Sequence, residues 1–496
     1  MATFFGTVGS DTLQGTAFVS DIFYGSEGSD RIDGGDGPQQ GRDTLTYERL
    51  LAGIAMTIFG DEGGGSGTVA KAGGAVDQFS SIYGPITATP YDDTIIGTAF
   101  SGFFLRGEIS TRALVGGLGN DTIDGRGNFY NLVSYVGSSG VVVDLAGGTA
   151  TGGHGNDTLI NVRAILGSAG ADWIIGSAAA DVIFGEDGSD TIAGGGGSNI
   201  LNGGAGVDTL LINAPLATLT FGSGTIASAT GSDTVSNFER LQTREAIYTT
   251  ERGVDPFFYY FAFPDVARAG LGATAHYHTD GWREGRDPDT FFSTLGYRYA
   301  NPDVFAAGID PLDHAVTAGW REGRDPSRSF DNETYLARNA DIRIIGVNPF
   351  LHWLESGRNE GRQAGPAIGP RIDADGFDSE WYLLNGSDIA RAGIDPKGHY
   401  QSLGIAEGRS PNAFFDTRGY LDAYGDVRVA GVDPLVHYVT WGWREGRDPS
   451  AAFDTSGYLS ANADVAAAGI NPLLHYLVSG HAEGRMVLTD SSFDLI

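Results

Sequence analysis

The 496-residue chain contains no cysteine. This absence excludes disulfide bonds, a cysteine nucleophile and thiolate metal sites, so any cross-link must come from other side chains. Long apolar runs are also missing, and no stretch of about 18 apolar residues is available to span a bilayer. The N-terminal sequence MATFFGTVGSDTL has no basic segment followed by an apolar one, which predicts that there is no cleavable secretory signal.

Basic residues are scarce relative to acidic ones. The chain has 31 Lys and Arg against 62 Asp and Glu, which gives a formal net charge of -31. Because nucleic acids and anionic membrane surfaces bind basic patches, this charge argues against either of them as a direct partner. A bridging cation could still join the surface to an anionic polysaccharide.

Common catalytic motifs are absent as well. The sequences HExxH and GxSxG do not occur, and neither does a P-loop. We therefore expect that the protein is not an enzyme. A polysaccharide-acting hydrolase or lyase is the enzymatic alternative that stays open.

Glycine is abundant, with 77 residues, and much of it lies in a nine-residue repeat. Five nonapeptides run without a break from Gly167 to Leu211: GSAGADWII, GSAAADVIF, GEDGSDTIA, GGGGSNILN and GGAGVDTLL. The sixth position of each unit is polar and the eighth is a large apolar residue. The polar series is Asp172, Asp181, Asp190, Asn199 and Asp208, and the apolar series is Ile174, Ile183, Ile192, Leu201 and Leu210. Two series in one phase predict short β-strands that each turn an apolar side chain into a core.

In a two-sided parallel β-roll, nine residues form half a turn, so residues eighteen apart stack directly. Asp172, Asp190 and Asp208 are therefore expected along one edge, and Asp181 and Asn199 along the other. Glycine permits the positive φ angles that such turns require. Stacked carboxylates and inward backbone carbonyls are the hard oxygen ligands that Ca²⁺ accepts. The pattern thus predicts rows of calcium-binding turns.

Other copies of the nonapeptide occur earlier in the chain. Full matches to GGxGxDxUx, where U is a large apolar residue, begin at Gly116, Gly152 and Gly203. Looser copies begin at Gly6 and Gly25 and surround Asp43 and Asp93. Through these units roughly the first 240 residues resemble the RTX family of secreted, hemolysin-type calcium-binding proteins. The resemblance implies several bound Ca²⁺ ions and an extracellular or cell-surface location in bacteria.

Some nonapeptides depart from the consensus. Ala179 replaces the fourth glycine of its unit and Asn199 replaces an aspartate, so calcium binding is expected to be weak or absent there. The spacer from Asn131 to Thr151 is expected to form ordinary β-strands. We predict metal ligation by Asp11, Asp21, Asp30, Asp43, Asp93, Asp121, Asp157, Asp172, Asp181, Asp187, Asp190, Asn199 and Asp208, and in the turns by Gly116, Gly117, Gly119, Gly152, Gly153, Gly155, Gly185, Gly188, Gly203 and Gly206.

The C-terminal residues 486–496 read MVLTDSSFDLI. Hydroxyl residues, Asp494 and two terminal apolar residues resemble the uncleaved C-terminal signal of type I secretion substrates, which RTX proteins commonly carry. The resemblance implies that type I secretion machinery is a partner. The strong negative charge further predicts that the chain repels itself without calcium and compacts when ions bind.

A second, longer repeat fills the C-terminal half. The sequence EGR recurs at spacings of 38, 38, 47, 38 and 38 residues, beginning at Glu284, Glu322, Glu360, Glu407, Glu445 and Glu483. The same spacing joins His276, His314, His352, His399, His437 and His475, and also Asp265, Asp303, Asp341, Asp388, Asp426 and Asp464. The extra nine residues lie in GPAIGPRIDADG, residues 365–376. The pattern predicts six stacked units in two blocks of three.

The last unit, residues 453–485, indicates the structure of each copy. Asp454, Asn462 and Asn471 are expected to cap three short helices, with Pro472 at the first position of the third. Gly469 and Gly480 are expected to end the second and third helices. We therefore predict an α-helical repeat array.

Two features of these repeats allow a functional and a structural interpretation. The six histidines could bind zinc or copper, but a buried histidine bonded to a neighbouring unit fits their apolar helices better. The GWREGRDP segments at Gly281, Gly319 and Gly442 could stack on glycans. Tryptophan packing with an arginine–carboxylate clip between repeats is the interpretation we prefer.

Together the patterns predict a multidomain α and β protein that is secreted, binds calcium and self-assembles at the cell surface as a homo-oligomer or lattice, like a surface layer. The alternative is an extracellular adhesin or matrix protein that binds glycans through the helical repeats. Calcium removal is expected to unfold residues 1–240 and to leave much of the helical array intact. The predicted segments are two RTX β-roll modules at 1–130 and 131–250, helical repeats at 251–362 and 377–485, a linker insertion at 363–376 and the secretion signal at 486–496.

Overall fold

The computed structural model describes residues 1–16, 19–35, 43–59, 66–82, 85–97, 112–127, 131–358 and 360–489. The chain divides into two compact units. We call Met1–Thr249 with Tyr260–Gly272 the β unit, and Thr250–Tyr259 with Ala273–Ile496 the helical unit. In the described part of the chain, no helix has the length and apolar character needed to cross a membrane.

Two large, mostly parallel sheets form the β unit. The 12-stranded sheet contains, in spatial order, β1 Thr3–Phe5, β3 Ile22–Tyr24, β5 Thr44–Thr46, β9 Ile86–Thr87, β11 Arg112–Val115, β13 Asn131–Ser134, β17 Ala164–Leu166, β19 Val182–Phe184, β22 Ile200–Asn202, β27 Gly231–Ser236, β26 Thr225–Ser228 and β25 Thr220–Gly222. The 15-stranded sheet contains β2 Thr12–Gln14, β4 Arg31–Asp33, β8 Val76–Ser80, β7 Ser66–Lys71, β6 Ile54–Phe59, β10 Thr94–Ile96, β12 Thr122–Asp124, β16 Gly155–Ile160, β15 Thr149–Gly152, β14 Val141–Asp144, β18 Trp173–Ile175, β21 Thr191–Ala193, β24 Thr209–Leu211, β28 Arg240–Gln242 and β29 Ile247–Thr249. A third pair, β20 Asp187–Gly188 and β23 Ala205–Gly206, joins two turns.

Successive nonapeptides place their strands alternately in the two sheets. Ile174, Ile192 and Leu210 pair side by side in the 15-stranded sheet, whereas Ile183 and Leu201 pair in the 12-stranded sheet. All five side chains are fully buried, as the sequence phase predicts. Each such burial contributes about 1.5 to 3 kcal/mol. The apolar series thus forms the core between the sheets.

Three antiparallel insertions interrupt the parallel order. They are β6–β7–β8, β14–β15–β16 and β25–β26–β27. The spacer after Asn131 therefore does contain ordinary strands. The nonapeptide that begins at Gly152 lies partly in the hairpin between β15 and β16, where Gly152 and Gly155 have φ angles of 145° and 128°.

Both sheets continue across residue 130, where the sequence suggests a boundary between two modules. Strand β11 pairs with β13 in one sheet, and β12 pairs with β16 in the other. Residues before and after this point therefore share one continuous pair of sheets.

Short helices make up the helical unit and the segment that precedes it. They are α1 Pro256–Ala262, α2 Pro264–Arg268, α3 Ala273–His276, α4 Trp282–Glu284, α5 Thr294–Ala300, α6 Pro302–Ala306, α7 Pro311–Thr317, α8 Asn332–Arg338, α9 Ala340–Ile345, α10 Pro349–His352, α11 Ser379–Asn385, α12 Ser387–Ala392, α13 Pro396–His399, α14 Ile405–Glu407, α15 Thr417–Ala423, α16 Gly425–Ala430, α17 Pro434–Thr440, α18 Thr455–Ala461, α19 Ala463–Ala468 and α20 Pro472–His475. Helices α3, α10, α13 and α20 continue into π-helical turns at Tyr277–Gly281, Trp353–Gly357, Tyr400–Gly404 and Tyr476–Gly480. Short 3₁₀ segments lie at Leu216–Thr218, Gly319–Arg321 and Gly442–Glu445.

The last repeat shows how its sequence specifies these helices. Asp454 accepts the Gly457 N–H at the start of α18, and Asn471 accepts the Leu474 N–H at the start of α20, as predicted. Asn462 precedes α19, but its side chain does not cap that helix and donates to the Tyr458 carbonyl instead. The predicted cap at Asn462 is therefore wrong, because the amide is used to hold the preceding helix.

Candidate calcium-binding turns

A ladder of carboxylates follows the edge at which the chain enters the 15-stranded sheet. The Asp172 N–H donates to Oδ1 of Asp190, and the Asp190 N–H donates to Oδ1 of Asp208, both at 2.8 Å. The Asp208 N–H in turn donates to Oε2 of Glu239. The three aspartates are buried. Residues eighteen apart therefore stack along this edge.

The same hydrogen bond, from the N–H of one turn residue to a side-chain oxygen of the residue stacked on it, recurs throughout the β unit. We call each such bond a rung. Along the first edge it joins Asp11 to Asp30, Asp30 to Asp77, Asp93 to Asp121 and Asp121 to Asp157. Along the opposite edge it joins Asp21 to Asp43, Asp181 to Asn199 and Asn199 to Asp233. Because Oδ1 accepts a backbone hydrogen bond in each rung, Oδ2 is the aspartate oxygen that remains for the turn itself.

In many turns a hydroxyl residue bonds the aspartate from within. Ser168 donates its N–H to Oδ2 of Asp172 at 2.6 Å and its hydroxyl to Oδ1 at 2.6 Å. The Ser or Thr in these turns is the second residue of the nonapeptide-like unit. The remaining pairs are Thr7 with Asp11, Thr16 with Asp21, Ser26 with Asp30, Thr89 with Asp93 and Ser177 with Asp181. We call these the closed turns.

Two closed turns also contain a cationic side chain of the protein. The Lys71 ammonium donates to the carbonyls of Ser26 and Gly28 and pairs with Asp77 at 2.5 Å. It lies 3.9 Å from Asp30 as well. This ammonium therefore holds carbonyl and carboxylate oxygens that would otherwise be available to a metal ion.

The second built-in cation is Arg163. Its Nε pairs with Oδ1 of Asp181 at 2.8 Å, and its guanidinium also donates to the Ala180 carbonyl. The nonapeptide that contains Ala179 in place of glycine thus has an arginine at its aspartate. Positive charge reaches this turn without a metal.

Among the turns that the structure describes, three are different, and we call them the open turns: residues 116–121, 185–190 and 203–208. Their second residues are Gly117, Glu186 and Gly204, whose φ angles are 100°, 76° and 109°. The Oδ2 atoms of Asp121, Asp190 and Asp208 are buried and have no hydrogen-bond partner. A buried acceptor without a hydrogen-bond partner is costly, and a water molecule or an ion at this oxygen would remove the cost.

Backbone carbonyls crowd the open turns. The turn at 185–190 contacts the turn at 203–208 through the β20–β23 pair, and a Cβ built on Gly206 would lie 1.5 Å from the Gly188 carbonyl oxygen. A Cβ on Gly155 would lie 1.6 Å from the Gly119 carbonyl oxygen. Glycine is therefore required where the carbonyls of one turn approach the backbone of the next.

Burial raises the pKa of the open-turn aspartates. The pKa of Asp121 and of Asp190 is raised to about 7, and that of Asp208 to about 6, with neighbouring carboxylates adding to the effect of burial. A bound cation would reverse this shift by favouring the ionised form. The electrostatics of these turns therefore fit a divalent ion.

The raised pKa values predict how the calcium-free protein responds to pH. Their folded values exceed the ordinary aspartate value, so the native state binds more protons and stability falls as pH rises through about 7. We expect the calcium-free β unit to gain folded structure as the pH is lowered from about 8 to about 5. Circular dichroism of chelated and dialysed protein measures this gain. A loss of β structure over the same interval would contradict the assignment.

The other predicted ligands have varied surroundings. Asp157 accepts a hydrogen bond from the Tyr135 hydroxyl at 3.0 Å, so its Oδ2 is already occupied. Asp187 is exposed and lies outside the ladder. Asn199 takes the place of an aspartate and donates its amide to Asp233. Among the predicted glycines, Gly116, Gly185 and Gly203 lie close to Oδ2 of the open-turn aspartates. Gly153 lies in the hairpin between β15 and β16.

Sequence reasoning missed several members of the ladder. Asp77, Asp233 and Glu239 occupy rungs although they lie outside recognisable nonapeptides. Each enters the ladder after an antiparallel insertion or a longer loop, which breaks the nine-residue phase. Each of them is followed two positions later by a buried apolar residue: Phe79, Val235 and Leu241. This apolar residue was the sequence signal that could have identified them.

In the helical unit, each repeat histidine is bonded to a tyrosine. Nδ1 of His475 and the Tyr458 hydroxyl share a hydrogen bond of 2.9 Å. The same bond, at the same length, joins Tyr259 to His276, Tyr297 to His314, Tyr335 to His352, Tyr382 to His399 and Tyr420 to His437. The tyrosine lies 17 residues upstream of the histidine in the same repeat. The prediction that each histidine bonds to a neighbouring unit is therefore wrong.

The arginines of the last five EGR segments also act within one repeat. Arg485 pairs with Asp464 at 2.7 Å and with Glu483 at 2.5 Å. Equivalent clips join Arg324 to Asp303, Arg362 to Asp341, Arg409 to Asp388 and Arg447 to Asp426. The predicted clip between repeats is therefore wrong, because the arginine and aspartate lie 21 residues apart in one unit.

The tryptophans of the GWREGRDP segments are covered by arginines. Trp282 and Trp443 are buried, and each indole N–H donates to a backbone carbonyl one helical turn earlier. The next residue, Arg283 or Arg444, lies 4.3 Å from the ring centroid. These rings therefore pack within the repeat, as the preferred interpretation predicts.

Comparison with known proteins agrees with the turn geometry. Residues 5–38, 113–128, 166–201 and 175–210 match the RTX calcium-binding nonapeptide repeat. The β unit therefore contains RTX calcium-binding nonapeptide repeats.

Other comparisons add little. No curated protein matches the chain. One solved structure with similarity is the extracellular lipase LipA from Serratia marcescens, at 14% identity and a TM-score of 0.11, covering 47% of this chain and 37% of the lipase. The chain thus spans about a third of the lipase's length, and this likeness carries no functional argument.

Proposed function

We propose that the β unit is a calcium-dependent β-roll whose ions bind in the open turns. The observation that carries the proposal is the buried, unpartnered Oδ2 of Asp121, Asp190 and Asp208. Leaving an ionised carboxylate buried and uncompensated is strongly unfavourable, and a cation at this oxygen removes that penalty. The carbonyls that crowd the same turns supply further oxygen ligands of the kind that Ca²⁺ takes.

The closed turns need no ion, because their aspartate oxygens already have partners. Their Oδ2 atoms accept hydrogen bonds from a Ser or Thr in the turn, and Lys71 and Arg163 add positive charge at two of them. The calcium content of the β unit is then set by the open turns rather than by the number of nonapeptides.

A pair of matched variants tests this division. We expect Asp208→Asn, in an open turn, to lower the calcium bound per chain, because the amide removes the charge but keeps the Oδ1 acceptor of the rung. Asp172→Asn, in a closed turn of the same ladder, should leave the calcium content unchanged. Equilibrium dialysis with metal analysis measures both, and an equal loss in the two variants would contradict the proposal.

For the whole chain, we infer a secreted, non-enzymatic structural protein that self-assembles at the bacterial cell surface. In the helical repeats, the recurring histidines are bonded to tyrosines and the EGR arginines to aspartates, which gives these side chains structural partners. Two repeat-related side chains on the outside, Ile344 in α9 and Val429 in α16, are 82% and 88% exposed. Exposed apolar residues at the same position of two repeats offer contacts between copies.

Calcium titration of the purified full chain tests self-assembly. We expect regular sheets or filaments at roughly millimolar calcium, the range of extracellular modules, by light scattering and electron microscopy. The double variant Ile344→Glu and Val429→Glu should bind calcium normally but fail to assemble, because both side chains are exposed and their replacement leaves the core intact. Assembly of this variant at the wild-type calcium concentration would rule out these contacts.

A glycan-binding adhesin is the second candidate, favoured by the Trp441 indole, which is 55% exposed. If calcium yields only discrete monomers, saturable polysaccharide binding that is lost in Trp441→Ala would support this function. The C-terminal residues 490–496, which contain most of the proposed type I secretion signal, lie outside the described residues. Export through that machinery is part of the proposal.

A further inference from the structure

A buried group of carboxylates lies in the helical unit, far along the chain from the nonapeptides. Asp325, Asp331 and Glu333 each place a carboxylate oxygen within 4.8 Å of the others. The first two side chains are fully buried. They come from the end of the second repeat and the start of the third, at the N-terminus of α8.

The fourth repeat adds two more carboxylates after the 363–376 insertion. Glu380 accepts the Asp325 N–H through Oε1 at 3.3 Å, so its carboxylate lies against the Asp325 backbone. Asp378 accepts the N–H groups of Gly369 and Trp381. We call Asp325, Asp331, Glu333, Asp378 and Glu380 the acidic cluster.

Several oxygens at this cluster are buried and have no hydrogen-bond partner. They are Oδ2 of Asp325, Oε2 of Glu380 and the amide Oδ1 of Asn332. Within the described part of the chain, none of the five carboxylates forms an ion pair with Lys or Arg, although His481 lowers the pKa of Asp331 and Arg324 lowers that of Glu380 to a smaller extent than burial raises them. Buried oxygens without hydrogen-bond donors are favourable only when a cation or added protons compensate them.

The charge balance of the cluster supports the same conclusion. Burial raises the pKa of Asp325 and of Glu380 well above the ordinary range, and it raises the pKa of Glu333 to about 7 and that of Asp378 to about 6. Neighbouring carboxylates raise the values further. Several ionised carboxylates cannot share this volume without a compensating positive charge.

The repeat fold does not itself require this cluster. Asp448 occupies the position of Asp325 three repeats later, and its Oδ1 accepts the Thr455 N–H at 2.6 Å, as Oδ1 of Asp325 accepts the Asn332 N–H at 3.0 Å. Ser456, however, occupies the position that Glu333 and Glu380 hold in their repeats. The extra carboxylates therefore serve something beyond the shared turn.

We propose that the acidic cluster binds a divalent cation, calcium by the all-oxygen character of its donors, and that this ion ties the start of α8 to the start of α11 across the insertion. The donors are carboxylates and an amide oxygen, and the flexible coordination of Ca²⁺ suits such an irregular set. A cavity of about 460 Å³ is lined in part by Glu333 and His481. The sequence shows no calcium motif here because three repeats supply the ligands.

The test uses the full chain with Asp325→Asn and Glu380→Gln combined, and Asp448→Asn as the matched control. We expect the double variant to bind one calcium ion fewer than wild type, while the control binds the wild-type number. Terbium luminescence, excited through tryptophan near the site such as Trp381, should weaken in the double variant only. The open-turn variant Asp208→Asn loses calcium from the β unit, so failure of one site is distinguishable from failure of the other.

Thermal stability supplies a second readout, because the double variant should shift the thermal midpoint in opposite directions with and without calcium. In calcium, the double variant should lower the thermal midpoint of the helical unit, because the ion is lost. In chelator it should raise that midpoint, because two repelling carboxylates have been neutralised. Unchanged calcium content, with a higher midpoint in both conditions, would overturn the proposal and show that the cluster is held by protons.

Discussion

Removing calcium from the full chain is expected to unfold most of the β unit while the later helical repeats stay folded. The open-turn aspartates then carry buried charge that nothing compensates, and the contribution of each ion is lost. Such a site contributes about 2.7 kcal/mol at a calcium concentration one hundredfold above its Kd. Because net stabilities of domains are about 5 to 15 kcal/mol, the loss of several sites is decisive.

Hydrogen exchange with mass spectrometry can follow both units in one sample. We expect chelation to abolish protection in the strands between Thr122 and Gln242 and to leave α18 to α20 protected. Magnesium at the same concentration is the control, since it demands a stricter geometry and should restore protection poorly. Protection of the β unit that does not change on chelation would contradict calcium-dependent folding.

Replacing one turn glycine should cost nearly as much. Gly206 has a φ of 142°, and a Cβ there would lie 1.5 Å from the Gly188 carbonyl oxygen in the adjacent turn. Gly206→Ala must therefore push two stacked turns apart, which we expect to cost about 3 kcal/mol or more. The β20–β23 pair and the ion site between these turns would be disrupted together. Denaturant unfolding at saturating calcium measures the free energy lost.

The matched control for this variant is Gly224→Ala. Gly224 has a φ of 70° in the hairpin between β25 and β26, and a Cβ there would meet no atom within 4 Å. This variant isolates the cost of the left-handed backbone, which is about 1 to 2 kcal/mol. Equal losses in the two variants would show that the approach of the turns carries no energetic weight.

The uninterrupted nonapeptides were the most predictable part of the structure. Their polar and apolar residues keep a single phase, and that phase was enough to assign Ile192 to one sheet and Leu201 to the other. Prediction was weaker wherever an insertion interrupted the nine-residue period, as it does before Asp77 and Asp233. A sequence period cannot report which strands pair after an antiparallel excursion, because pairing then depends on the register of the hairpin.

The chemistry of individual turns was only partly predictable. The same aspartate can face an ion, a serine or an arginine, and the choice depends on the second residue of the unit and on strands far away in sequence. Lys71 reaches its turn from 43 residues beyond Gly28, and the acidic cluster draws ligands from three repeats. Such sites are assembled by tertiary contacts, which no local motif describes.

The ammonium of Lys71 has a consequence for the order in which the β unit forms. Lys71 supplies positive charge to the carboxylates of its own turn without calcium, whereas the open turns need the ion for this. Rising calcium would then extend the sheets outward from the strands around Lys71. Folding of the β unit thus has a defined starting point. The calcium concentration then determines how many coils of the β unit are folded.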